Sequence, residues 1–416
     1  MSDTPGVNNM LYEEINPQAV TEADIAVIIP SYKEADNIAL PARKAGLGLA
    51  NYFPNFRCVV INCDNNSPDG TKEAFLGAEF ETPRIYLSTP PGVVGKGANM
   101  RNGFDKASSL GVKAVAVIGA NLLSIRTRWM WSLLAPIIEG GAEFVAPLYA
   151  RHKYDSPISK GLAYPFGRAL FGRRVLQPIS IDMAFSSRLL EIYRQQDWPL
   201  EDKGYYMDMH MLYLAIVNQA PICQSYMAHP RVTASSQSDD ILSASFRNVV
   251  ENLFDLMIIS EDFWKNVSRS RPTSLAGIEE GQMKLPPQVE VDKEQLISQF
   301  VRYSEKTREL WPSIFGPELA AKLEEQLAVC STGGCPTIDI ELWRPAIFNA
   351  ALAYKKAAPE DRRAIASSLV PLFFGKGLDS YLKGRDLDDR QFHAMLEEEA
   401  RTFEAAKKDF IARWDE

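Results

Sequence analysis

Two polar clusters and one glycine-rich run stand out among the 416 residues. Pro30-Ser31-Tyr32-Lys33-Glu34 closes one apolar run, and Asp64-Asn65-Asn66-Ser67-Pro68-Asp69-Gly70-Thr71 closes a second. Polar side chains and free backbone amides at the carboxyl ends of adjacent strands are how an open α/β sheet grips a nucleotide. A carboxylate such as Asp64 can accept from a base N–H or a ribose hydroxyl. The same Asn, Asp, Pro and Gly would also build an ordinary turn for backbone reasons, so either cluster alone is weak evidence. The third element, Gly92 to Gly103, reads GVVGKGANMRNG. Its glycines let the backbone pass close to a ligand, and Lys96 supplies a point charge suited to phosphate. It is not the phosphate loop of nucleotide triphosphatases, because Gly-x4-Gly-Lys-Ser/Thr is absent. Nor is it a dinucleotide fingerprint, which should follow the first strand.

Alternating strands and helices are needed to hold these pieces. Ile25–Pro30 and Phe56–Ile61 read as buried strands, as do Arg84–Ser88 and Lys113–Ile118. Helical spacing covers Asp36–Asn51 and Ala98–Leu110, with a short helix running to about Phe80. Repeated β-α-β units predict a mostly parallel sheet with helices on both faces, and ligands at the carboxyl ends of its strands. Beyond about Ser235 the chain turns helical, notably over Lys293–Leu310, Pro317–Ala328, Leu342–Lys356 and Asp389–Trp414. The expected organisation is an α/β domain over 1–235 and a helical region over 236–416, with Arg269–Val291 as a connecting loop. Such amphipathic helices suit a homodimer interface or a cover for the sheet within one subunit.

Composition excludes several classes. At 46% hydrophobic and 24% charged, the chain is neither disordered nor collagenous nor a disulfide scaffold. A net charge of −8 argues against nucleic acid as the main partner. The run Ala114–Leu123 stops well short of the ~20 residues a membrane span needs. The first thirty residues lack the basic-then-apolar order of a signal peptide, so a cytoplasmic protein is expected. Five cysteines, an odd number without a secretion signal, point to reduced thiols. Arg151, Lys153, Lys160, Arg168, Arg173 and Arg174 form a basic stretch with only Asp155 opposing it; a solvated face or a small anionic ligand would explain it.

Taken together, the three motifs resemble the nucleotide-binding half of the GT-A glycosyltransferases. Pro30–Glu34, Asp64–Thr71 and Gly95–Gly103 match that family's elements in order. The resemblance implies a Rossmann-like mixed sheet, and a nucleotide sugar contacted by Pro30, Ser31, Tyr32, Glu34, Asp64, Gly95, Gly119 and Asn121. Lys96 would lie near the sugar or diphosphate. Further along, Gln177-Pro178, Asp182-Met183-Ala184, Tyr205–Asp208 and His229 resemble the retaining enzymes that make glucosyl-3-phosphoglycerate and mannosylglycerate. By that resemblance the donor is a UDP- or GDP-hexose and the acceptor small and anionic. Asp208 and Asp182, with Lys96, become the candidates for chemistry. Arg151 and Gln177 would meet the acceptor.

One departure stands against these agreements. The fourth strand of the family normally ends in Asp-x-Asp, whose carboxylates hold a divalent cation, Mg²⁺ or Mn²⁺, against the donor diphosphate. Here the corresponding residues are Gly119-Ala120-Asn121. Asn121 offers only a neutral oxygen to a hard cation. His229 is then either a metal ligand or a hydrogen-bonded structural histidine. Without a metal, the leaving diphosphate would depend on Lys96, Arg126, Arg128, Arg151 or helix amino termini. A non-catalytic nucleotide-sugar-binding relative, acting as sensor or scaffold, is the alternative.

Overall fold

The computed structural model describes residues 11–198, 206–234, 239–277 and 283–416. In chain order the elements begin β1 (Glu13–Ile15), β2 (Ile25–Ser31), α1 (Ala39–Tyr52), β3 (Cys58–Asp64), α2 (Thr71–Leu76) and β4 (Arg84–Ser88). There follow α3 (Lys96–Ser109), β5 (Ala114–Val117), α4 (Arg128–Ile138), β6 (Phe144–Leu148), α5 (Tyr164–Phe171), β7 (Arg173–Arg174) and β8 (Met183–Ser186). Next come α6 (Ser187–Arg194), α7 (Tyr206–Val217), β9 (Ile222–Tyr226), α8 (Asp239–Ile259), α9 (Glu261–Lys265), β10 (Arg271–Pro272) and β11 (Ser274–Gly277). The remainder is helical: α10 (Lys293–Thr307), α11 (Trp311–Phe315), α12 (Pro317–Ser331), α13 (Ile340–Lys356), α14 (Pro359–Ser368), α15 (Val370–Gly384) and α16 (Asp389–Trp414). The expected α/β half and helical C-terminal region are both present. Among the described residues, no helix is long and apolar enough to cross a membrane.

The chain divides into two compact units, but not at one point. The first comprises residues 1–150, 180–236 and 274–284, and the second 151–179, 237–273 and 285–416. Residues 151–179 thus group with the helical unit. The expected boundary at 235/236 lies outside the described residues.

Among the described residues of the first unit nine strands form one sheet, in the order β1-β4-β3-β2-β5-β8-β6-β9-β11. Strands β4, β3, β2 and β5 run parallel, as the β-α-β pattern predicts, and β8 runs antiparallel between β5 and β6. Every residue of β2 is buried, which suits a central strand covered on both faces and explains its unbroken apolar run. Helix α1 starts at Ala39 rather than Asp36, after a turn in which the amides of Asn37 and Ile38 both donate to the Glu34 carbonyl. Helix α3 lies close on the sheet at Gly103, where a β-carbon would stand 2.9 Å from Cys63 Sγ and 3.0 Å from Ile28 Cγ2. That close approach fixes the amino end of α3 beside the ends of β2 and β3.

The second unit is built on aromatic packing. Phe166 meets Phe254, Phe348 and Phe403, and Trp264 meets Phe410 and Trp414. Three members of the basic stretch, Lys160, Arg168 and Arg174, are engaged here by other groups of the chain. Arg168 is buried and pairs with Glu397 at 2.7 Å and Glu404 at 2.5 Å on α16. Lys160 donates to the carbonyls of His152 and Lys153 at 2.7 and 2.9 Å. Arg174 donates to Ser270 Oγ at 2.9 Å. Cations spent on satisfying buried acceptors are structural members, because a buried polar group must be paired.

Candidate functional site

The carboxyl ends of β2 and β3 are joined by their own motif residues. Asp64 is fully buried and accepts four hydrogen bonds: Ser31 Oγ at 2.8 Å, Ser67 N and Oγ at 2.7 Å each, and Tyr86 Oη at 3.1 Å. With both oxygens occupied, the carboxylate locks the two loops together, and a direct base contact would require one of these bonds to yield. Asp69 accepts from Ala35 N and Thr71, and Glu34 N donates to Thr71 Oγ1 at 2.9 Å. The Glu34 carboxylate is half-buried. Burial raises its pKa, with Asp69 adding to the effect, against the opposing hydrogen bond from Asn37. Tyr32 is 39% exposed beside this cluster, with the Lys33 ammonium 5.3 Å from its ring centroid.

The third motif is tied to the first two by a pair of asparagines, Asn65 and Asn99, one from each side. Asn65 Nδ2 donates to Asn99 Oδ1 at 2.8 Å, and Asn99 Nδ2 donates to Asn65 Oδ1 at 3.0 Å and to the Ser31 carbonyl at 2.9 Å. Gly95 N donates to Asn65 Oδ1 at 3.1 Å. Three segments distant in sequence therefore form one hydrogen-bonded platform. Lys96 opens α3, and its ammonium pairs closely with Asp208 in the first turn of α7. Tyr205, the first residue of the motif around Asp208, lies outside the described residues.

A second constellation stands at the end of β5. The β5·β8 register brings Val117 opposite Met183, so Asp182 lies beside Gly119. Asp182 is fully buried and accepts from Gly119 N at 2.9 Å, Tyr149 Oη at 2.7 Å and Arg231 Nε at 2.5 Å. Burial works to raise its pKa, but the Arg231 charge and these hydrogen bonds overcome it and hold the carboxyl below its usual range. Burial likewise opposes the Arg231 charge, and Asp182 reverses that, keeping the guanidinium protonated. The segment carrying Arg231 is stitched to the loop after β5. Leu123 N donates to the Val232 carbonyl at 2.9 Å, Val232 N to Ser124 Oγ at 2.9 Å, and Ala234 N to the Asn121 carbonyl at 3.1 Å. A β-carbon at Gly119 would stand 3.1 Å from Arg231 Nη2 and 3.5 Å from Asn121 Oδ1. Arg231 was not foreseen. Its only sequence signal is a cation two residues after His229.

The donor set at this point is a poor match for a divalent cation. Gly119 brings no side chain, Asn121 a neutral oxygen, and the Asp182 oxygens are already shared among an amide, a phenol and a guanidinium. Among the described residues no three His, Cys, Asp or Glu side chains gather closely enough to hold a metal. His229 Nδ1 is buried and has no hydrogen-bond partner among them. The His229 pKa is lowered, first by burial and then by the charges of Arg126 and Lys284, so the ring is neutral at pH 7. Arg151 and Gln177 belong to the second unit, where Arg151 Nε donates to Gln177 Oε1 at 2.9 Å and Nη1 pairs with Asp155 at 2.9 Å.

No protein-family model matches the chain. Among solved structures it is similar to glucosyl-3-phosphoglycerate synthase from Mycobacterium tuberculosis in complex with Mn²⁺, UDP and glucosyl-3-phosphoglycerate. The TM-score is 0.45 at 18% identity, covering 56% of this chain and 80% of that one. It is also similar to mannosyl-3-phosphoglycerate synthase from Rubrobacter xylanophilus, with a TM-score of 0.46 at 17% identity over 58% of this chain and 75% of that one. Residues of this chain, not these neighbours, carry the functional reading.

Proposed function

We propose that the chain is a glycosyltransferase that moves a hexose from a nucleotide-diphosphate sugar to a small anionic acceptor of the glycerate or phosphoglycerate class, with retention at the anomeric carbon. One observation carries this reading: the three motifs of the GT-A resemblance converge on a single buried network of Ser31, Asp64, Asn65, Gly95 and Asn99 at the carboxyl edge of β2 and β3. Such a network pre-organises a binding edge, since the motif side chains are held to one another before a ligand arrives.

In this reading the nucleoside lies against Tyr32 and the loops that Asp64 holds. Lys96, at the amino end of α3, faces the diphosphate with the helix dipole behind it. The acceptor hydroxyl attacks the anomeric carbon on the face from which the diphosphate leaves. Its proton passes to a departing phosphate oxygen as the new glycosidic C–O bond forms and the old one breaks. Asp208, steadied by Lys96, orients the sugar hydroxyls rather than acting as base. Arg151 and Gln177 are the acceptor candidates on their place in the sequence pattern.

The test is product formation followed by mass spectrometry, offering UDP-glucose and GDP-mannose with glycerate and 3-phosphoglycerate. A hexosylated acceptor supports the reading. Nucleotide-sugar binding without any transfer across several anionic acceptors would instead make the chain a non-catalytic binder.

A further inference from the structure

The end of β5 carries a charge arrangement that the reading above leaves unexplained. The family pattern places carboxylates at positions 119 and 121, where this chain has glycine and asparagine. A guanidinium stands over that same spot, with Arg231 Nη2 only 3.1 Å from where a side chain at Gly119 would begin. Loss of the carboxylates and presence of the arginine are therefore one local change in charge. Asp182 engages Arg231 through Nε. Among the described residues the two Nη groups donate no hydrogen bond, and the side chain keeps 19% of its surface exposed. The guanidinium is thus fixed through its Nε. The Asp208 carboxylate is near enough to act electrostatically on Arg231, and Lys96 pairs with that same carboxylate.

We propose that Arg231 is the cation that receives the donor diphosphate at the end of β5, taking the position and electrostatic task of a divalent metal; this rests on the nucleotide-sugar reading above. A guanidinium suits the task because its planar Nη groups can meet two phosphate oxygens at once and stay charged at any working pH. Asp182 and the backbone bonds from 231–234 to 121–124 hold it in place before the ligand binds, so little ordering cost remains at binding. Neither Asn121 nor His229 then needs to ligate a metal.

The experiment is calorimetric titration of the full chain with UDP and with GDP in EDTA, repeated with Mn²⁺. Uridine and guanosine binding is followed in parallel by ligand-observed NMR. Arg231→Met alone would strand Asp182, so the variant is the charge-balanced pair Arg231→Met with Asp182→Asn, alongside Arg231→Lys. One diphosphate is expected to bind in EDTA with an affinity that Mn²⁺ leaves unchanged. The paired variant should weaken it by about 10- to 100-fold, as expected for charge-assisted hydrogen bonds, while nucleoside binding is unchanged. Arg231→Lys, which keeps the charge, should lose less. Diphosphate binding that requires Mn²⁺, or a paired variant that weakens nucleoside and diphosphate alike, overturns the assignment and leaves the nucleotide-sugar reading standing. A wild-type chain that binds neither nucleoside nor diphosphate overturns both.

Discussion

Asp182 gives the sharpest test of how the end of β5 is built. The carboxylate is fully buried and serves three donors: an arginine, a tyrosine hydroxyl and a backbone amide. Asp182→Ala leaves all three donors without their acceptor at once. Breaking a buried ion pair from one side costs about 3–5 kcal/mol, because the surviving charge is left in a poor solvent. Each stranded neutral donor adds about 1–3 kcal/mol unless water reaches it. Arg231 retains some exposure, so part of its penalty is relieved by solvent, and a net loss of about 4 kcal/mol is expected. The paired variant Asp182→Asn with Arg231→Met, which removes both charges and keeps the shape, should cost much less. Urea unfolding followed by near-ultraviolet circular dichroism measures both, and the difference between single and paired variants reports the coupling. A loss below about 1 kcal/mol for Asp182→Ala would refute the reasoning, since no buried pair of this kind is so cheaply broken.

Three other outcomes follow from the same contacts. Gly103→Ala should destabilise by about 1–3 kcal/mol in urea melts, because its methyl must enter the space held by Cys63 and Ile28 and overpack α3 against the sheet. His210 is buried on α7, and burial pushes its pKa down from 6.5 to about 4. The unfolded chain therefore takes up a proton that the native state refuses, so stability should fall as pH drops from 6.5 toward 4; a His210→Gln variant should show a shallower slope over that window. Lys96→Met should reduce hexose transfer by at least about 100-fold, the scale expected when a charge-stabilising group is removed. Unchanged transfer in that variant would remove Lys96 from the donor site.

Much of the scaffold was legible because its signals are local. The all-buried run Ile25–Ser31 must be an interior strand, and the turn residues of Asp64–Thr71 must follow one. The helices of the C-terminal region announced themselves by composition and length, and Asp389–Trp414 has the bounds that its periodicity predicts. What stayed hidden depends on registers between distant segments. Asp182 reads as a lone carboxylate until the antiparallel β5·β8 pairing sets it against Gly119. Arg231 has no motif of its own, and the bonds between 231–234 and 121–124 together with Asp182 bring it to the end of β5. The role of Arg168 in the basic stretch was hidden for a similar reason: the carboxylates that meet it come from α16, more than 200 positions away in the chain. The division into units was equally non-local, since residues 151–179 leave the sheet-bearing unit and residues 274–284 rejoin it.

The central claim is that a nucleotide sugar is held along the carboxyl edge of the sheet, from Tyr32 and Asp64 to the end of β5. A crystal structure of the full chain with the better-binding of UDP and GDP, grown in EDTA, addresses it most directly. The account predicts a base beside Tyr32 and the Asp64 loop, with the diphosphate between Lys96 and the Arg231 guanidinium. A nucleotide bound elsewhere, or a diphosphate turned away from Gly119 and Arg231, would contradict it.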